Sequence, residues 1–228
     1  MGFTGFGKGA QRFFAQLEKH NDREWFEENR ARYERELLDP AVELVEALGP
    51  RLARLFPALN FGTQRNGAGS IMRIHRDTRF SADKSPYKLN LGVVFWIGSG
   101  KKVELPCCYL HVEKGSAFFY AGQHMFPKPI LERYRAAVAD ARTGASFGKA
   151  LAATEKAGLE IYEEPAFKRV PKGIAADHPR AALLRHAGLG VGADVPPNLL
   201  SSDALVDFCE GVAAKAKPLV AWLVAING

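Results

Sequence analysis

Residues 73–88, RIHRDTRFSADKSPYK, set five cations, Arg73, Arg76, Arg79, Lys84 and Lys88, around two aspartates, Asp77 and Asp83. With 31 Lys and Arg in 228 residues, composition alone would put about two in a window of this length. Two kinds of chemistry fit the pattern. Guanidinium forks bind phosphate or carboxylate oxygens two at a time, and a serine-rich loop adds hydroxyl and N–H donors. On that basis Arg73, Arg76, Arg79, Ser81, Lys84 and Lys88, with Asp83 and Tyr87 among them, form a candidate cradle for an anionic small molecule. The same residues also suit an internal network, in which Asp77 pairs with an arginine and Asp83 caps the loop's own amides. The readings overlap, because a preorganised anion site needs aspartates that orient its arginines.

A second cluster lies downstream. Tyr109, His111 and Glu113 recur at i, i+2 and i+4, so on a strand they project from one face. A neutral imidazole beside a carboxylate is a candidate general base, which makes Asp77, Tyr109 and His111 the candidate proton-transfer residues; a strand histidine also commonly serves structure alone. No metal is expected, since no second pair has ligand spacing and the adjacent Cys107 and Cys108 would face opposite ways. No cofactor is expected either. Gly67 and Gly69 precede an extended segment where a phosphate-binding glycine loop would open a helix. Trp25 and Phe26 fall on an apolar stripe and are assigned to the core.

The elements that must hold these residues follow from periodicity. Ala10, Phe13, Phe14 and Leu17 mark one helix. Asn21 followed by Glu24 suggests a cap for a second helix running to about Leu38, and Asp39-Pro40 suggests a restart as a third that ends near Phe56. Ile71, Ile74, Thr78 and Phe80 favour a strand over 71–80, with SADKSP as a compact loop after it. Residues 89–97 alternate as an interior strand; about 103–113 is another, turning through EKGS into AFFYAG. Helices are expected at 130–138 and 146–157, irregular chain over the prolines of 163–180, a short helix at Leu183-Leu184, and a second irregular stretch, GLGVGADVPPN. Closing helices would be capped by Ser201 or Ser202 and restarted at Pro218. The sum is one α+β domain over 1–228: a mainly antiparallel central sheet (about 70–122) with helices before it (about 6–57) and after it (about 128–228).

Composition narrows the function classes. The net charge of +6 and pI of about 9.3 admit an anionic partner. Nucleic acid is disfavoured, because the cations are interleaved with acids and the aromatics fall on apolar faces. The longest apolar runs fall short of the roughly 20 residues that span a bilayer, and the N-terminus carries no signal-peptide pattern, so no membrane partner is expected. Three cysteines offer no disulfide framework. The chain reads as cytoplasmic.

The segments NDREWFEENR, RIHRDTRFSADKSPYK, CYLHVEKGSAFFYAG and DHP together resemble a bacterial and fungal family, domain of unknown function 2461, over about Phe6 to Asn227. The resemblance implies no established activity. It implies which positions fit the family's pattern, among them Asn21, Arg76, Asp77, Arg79, Asp83, Tyr87, Tyr109, His111, Gly122 and His178. The chain departs from it at Cys107, Cys108, Ala121 and Gln123. The functional expectation is a site for a phosphate- or carboxylate-bearing small molecule, with catalysis at that site left open. A polyanion binder and a purely structural network are the alternatives.

Overall fold

The computed structural model describes residues 2–228. Helix α1 (Lys8–Leu17) buries Ala10, Phe13, Phe14 and Leu17, the stripe its spacing predicts. Helix α2 (Arg23–Glu28) is capped by Asp22, whose carboxylate accepts the Trp25 N–H at 2.9 Å, and not by Asn21. The expected second helix is broken: α3 (Arg30–Tyr33) follows a kink at Asn29, then a π-helical stretch (Glu34–Leu38) runs without interruption into α4 (Asp39–Leu55). Asp39-Pro40 therefore does not restart the chain. The Asp39 N–H reaches back to the Glu34 carbonyl, and the widened turn comes just before Pro40, which has no N–H to give.

The sheet has six strands in the order β1-β2-β3-β4-β6-β5, every neighbouring pair antiparallel. These are β1 (Leu59–Asn60), β2 (Asn90–Ile97), β3 (Cys107–Glu113), β4 (Ser116–Gln123), β5 (Glu160–Ile161) and β6 (Leu189–Asp194). The architecture is α+β, as the alternation of β2, β3 and β4 implies. Helices α5 (Lys128–Ala139), α6 (Ala141–Lys156), α7 (Pro197–Leu200) and α8 (Ala204–Asn227) follow the hairpin. Helix α8 passes through Pro218 without restarting and packs on β3, β4 and β6, while α4 packs on β1 and β2. The main core lies between these helices and one face of the sheet, through Leu91, Val93, Phe95, Cys108, Leu110, Val112, Phe119 and Val191. Among the described residues no helix is long and apolar enough to cross a membrane.

Three further expectations are corrected. Residues 71–80 are not a strand. Ile71 bridges to Val93 and His75 to Tyr87, but beyond Arg76 the aspartate side chains take over: Asp77 accepts the Arg79 N–H at 3.2 Å and Asp83 the Ser85 N–H at 2.9 Å. Side-chain acceptors that close local turns compete with a sheet ladder. Phe80, expected to share a face with the buried Ile74, is 94% exposed. The third strand begins at Cys107, since Lys102–Glu104 form a 3₁₀ turn. Finally, part of GLGVGADVPPN is strand β6, which inserts between β4 and β5.

Candidate functional site

Alternation sends Val94 from β2, Cys107, Tyr109 and His111 from β3, and Phe118 and Tyr120 from β4 to the face opposite the helices. That face carries a separate apolar cluster to which no helix contributes. Over it lies a cavity of about 660 Å³. Its floor is those six side chains; its walls are Met72, the Lys102–Leu105 turn, His124 and Met125, Ala187 and Gly188, and the chain after β5, from Tyr162 to Ala166.

Glycines make the room. A Cβ at Gly92 would come within 2.5 Å of the Tyr109 hydroxyl, and one at Gly190 within 2.2 Å of Tyr120 Cζ. The tyrosine rings therefore lie flat along the sheet. Phe118 stacks on His111 with ring centres 4.8 Å apart and planes 8° apart, and packs on Tyr162 at 5.0 Å.

His111 sits in a chain of polar contacts. Its Nδ1 faces the Tyr109 hydroxyl at 3.3 Å and the Asn90 amide nitrogen at 3.4 Å, while Nε2 faces Glu113 Oε2 at 3.3 Å. Two donors meet Nδ1 and an acceptor meets Nε2, which assigns the proton to Nε2 and leaves the Nδ1 lone pair towards Tyr109. Burial pushes Tyr109 up to about 12, so at neutral pH it is a hydrogen-bond donor. A hydrogen bond from Ser116, followed by the His111 contact, holds Glu113 below its ordinary value.

The two ends of the cavity differ in charge. Beside β2, the Lys102 ammonium lies 5.7 Å from the centre of the Trp96 ring and donates to the carbonyls of Gly67, at 2.6 Å, and Gly69. Burial lowers Lys102 and Lys88, and the Arg73 guanidinium lowers both further. Among the described residues no carboxylate pairs with Arg73, Lys88 or Lys102. Beside β5 stand Glu163 and Glu164. Glu163 Oε1 is 3.8 Å from His124 Nδ1 and pushes that imidazole up. Glu163 Oε2 and the Tyr120 hydroxyl are buried together, with the hydroxyl within reach to donate to the carboxylate. Burial, then the nearby Glu163, push Tyr120 well above its ordinary value.

Tyr109 and His111 thus lie on the cavity floor, but none of residues 73–88 lines it. The motif bonds to itself. Arg76 pairs with Asp83 and reaches Ser85 and Ser81; Arg79 grips Asp77 through Nε at 2.9 Å and Nη2 at 2.7 Å; Lys84 donates to the Thr78 carbonyl at 2.9 Å. Arg79 and the Ser85 contacts hold Asp77 and Asp83 respectively below the usual carboxylate range. Tyr87 is a core residue, stacked on Phe26 at 4.1 Å, and Asn21 clamps both its N–H and its carbonyl at 3.0 Å. Sequence reasoning missed Lys102, Phe118, Tyr120, His124, Tyr162 and Glu163. Phe118 and Tyr120 were findable from the alternation of β4. Glu163 follows a two-residue strand in a proline-rich stretch and carries no local signal.

No curated protein and no solved structure matches the chain. The model of one family, described as a conserved hypothetical protein (DUF2461), matches residues 10–222, nearly the whole length. The chain belongs to that family.

Proposed function

We propose that the open face of the sheet binds a small organic anion with an aromatic or apolar body. The observation that carries this reading is the cavity of about 660 Å³ floored by Tyr109, His111, Phe118 and Tyr120. A largely apolar concavity with a few convergent polar groups is the usual make-up of a small-molecule site. Lys102 at the rim, with Arg73 and Lys88 beyond it, supplies the charge for a carboxylate or phosphate. The Tyr109–His111–Glu113 chain equips the site for proton abstraction: the Tyr109 oxygen takes a proton from the ligand as its own passes to the Nδ1 lone pair of His111, and Glu113, opposite Nε2, steadies the imidazolium that results. Asp77, gripped by Arg79, and the Arg76–Asp83 pair instead keep the 77–85 loop in shape. Three buried free thiols, Cys107, Cys108 and Cys209, fit a reducing, cytoplasmic setting.

The test is a thermal-shift series on the wild type, Lys102→Met and Arg79→Ala with phenyl phosphate, naphthoate, inorganic phosphate and uncharged aryl amides at matched chloride. The aryl anions should raise the melting temperature, with about 2.7 kcal/mol of stabilisation at a hundred times Kd. Inorganic phosphate should do little, and Lys102→Met should weaken the response. A response to inorganic phosphate that Arg79→Ala abolishes would move the site to the 73–88 loop. Submicromolar, sequence-independent binding of single-stranded nucleic acid at physiological salt would instead make the aromatic face a polyanion platform.

A further inference from the structure

We infer that the anionic group of the ligand is a dianion, the terminal phosphate of a phosphomonoester, held at the cavity rim between Lys102 and Arg73. This rests on the small-molecule reading above and names the charge and chemistry of the group that Lys102 receives.

Two cations meet at one glycine. The Lys102 ammonium donates to the Gly67 carbonyl at 2.6 Å and to that of Gly69. The Arg73 side chain lies against the same Gly67, so close that a Cβ there would stand 2.5 Å from Arg73 Cγ and 3.1 Å from Cδ. Gly67 has a φ of +84°, a left-handed conformation that glycine adopts without strain. The loop thus brings together an ammonium that lines the cavity and a guanidinium one residue beyond Met72, which also lines it. An ammonium has three N–H bonds, and Lys102 spends two of them on carbonyls. Among the described residues no acceptor takes a hydrogen bond from the Arg73 guanidinium.

The cations around them are paired, and these are not. Arg65, on the same loop, holds Asp39 at 2.6 Å, and Arg76 pairs with Asp83. Lys101 holds Glu104 at 3.1 Å, so the one carboxylate of the Lys102–Glu104 turn serves its neighbour. Burial, then the Arg73 guanidinium, disfavour the charged forms of both Lys102 and Lys88, and no carboxylate offsets them. Like charges held together and partly withdrawn from water call for a counter-charge. A monocarboxylate would offset one of the three. A phosphomonoester carries about −1.5 to −2 at neutral pH on three terminal oxygens. One oxygen can take the remaining Lys102 N–H and the other two the Arg73 fork, while the organic body lies over Tyr109 and Phe118.

Three naphthyl compounds of nearly one shape isolate the charge: 1-naphthyl phosphate, a dianion, against two monoanions, 1-naphthyl sulfate and the methyl diester of the phosphate. Each is titrated calorimetrically into the full chain in matched chloride at about pH 7.5, above the second phosphate pKa. The phosphate should bind at least about tenfold tighter than either monoanion, the worth of one further hydrogen bond to a charged group. Arg73 is exposed, so it can be changed without opening the core. Arg73→Met should lower the ratio severalfold, and Arg73→Met combined with Lys88→Met should bring it near one. Arg79→Ala, which removes an exposed cation of the 77–85 loop, should leave it unchanged. Equal binding of the three compounds by the wild type overturns the inference and leaves the small-molecule reading standing. A ratio untouched by Arg73→Met, or lowered as much by Arg79→Ala, overturns the placement beside Arg73. No binding of any of the three at millimolar concentration counts against both.

Discussion

The Tyr120 ring lies directly on Gly190 of the neighbouring strand, so close that a Cβ there would stand 2.2 Å from Tyr120 Cζ. Gly122 is confined differently: a Cβ there would meet backbone, Gly190 Cα at 2.2 Å and the Leu189 carbonyl at 2.5 Å. A ring can tilt away, but a paired strand must shift. Gly190→Ala should therefore cost roughly 1–3 kcal/mol, the usual range for overpacking, and deform the cavity floor. Gly122→Ala should cost more because it prises β4 from β6. Denaturant midpoints in the reverse order would contradict this account.

Asn21 joins the N-terminal helices to the chain entering β2 through two hydrogen bonds to the Tyr87 backbone, each 3.0 Å. Asn21→Ala should lose about 1–3 kcal/mol of unfolding free energy, two net hydrogen bonds' worth. Asn21→Asp should be worse, since it keeps the acceptor for the Tyr87 N–H but turns a second acceptor towards the Tyr87 carbonyl. Equilibrium unfolding of the three proteins in urea checks the order.

Hydrogen bonds from the Arg79 side chain and backbone bring Asp77 down to about 2 from an ordinary 3.8. A depressed carboxylate contributes stability above its unfolded value and loses it as pH falls through its folded value. The contribution of Asp77 should thus be intact above about pH 4 and disappear towards pH 2. Carboxyl-carbon NMR should show a midpoint near 2, returning towards the ordinary value in Arg79→Ala. Both side chains are mostly exposed, so the melting temperature of that variant at neutral pH should scarcely move.

All three thiols are buried, and burial pushes Cys107 up to about 12 and raises Cys108 and Cys209 well above the ordinary value. The thiolate is the reactive form, so native protein at pH 8 should resist an aromatic disulfide reagent over hours and release three equivalents on unfolding. Cys107 lines the cavity. If one thiol reacts slowly in the native state, it should be this one, and an aryl anion in the cavity should slow it further.

Local sequence determines a good deal of this protein. The alternation in 89–97, 107–113 and 116–123 is enough to make a hairpin sheet, because side chains two apart share a face whatever lies around them. The same alternation puts Tyr109, His111 and Glu113 together. Asp77 beside Arg79, and Asp83 near Ser85 and Arg76, also find their partners within a few residues. Tertiary structure decides the rest. Whether the Tyr109 face is covered depends on where α4 and α8 dock, and both dock on the opposite face. Strand β6 has glycines at 190 and 192, follows a third at 188, and has almost no strand propensity of its own. It is a strand because β4 offers an unpaired edge and because Tyr120 and Tyr162 leave no space there for larger residues. Glu163 acquires meaning only when β5 pairs with β6 and swings the following chain over Tyr120. Such contacts join residues tens of positions apart, and no periodicity along the chain encodes them.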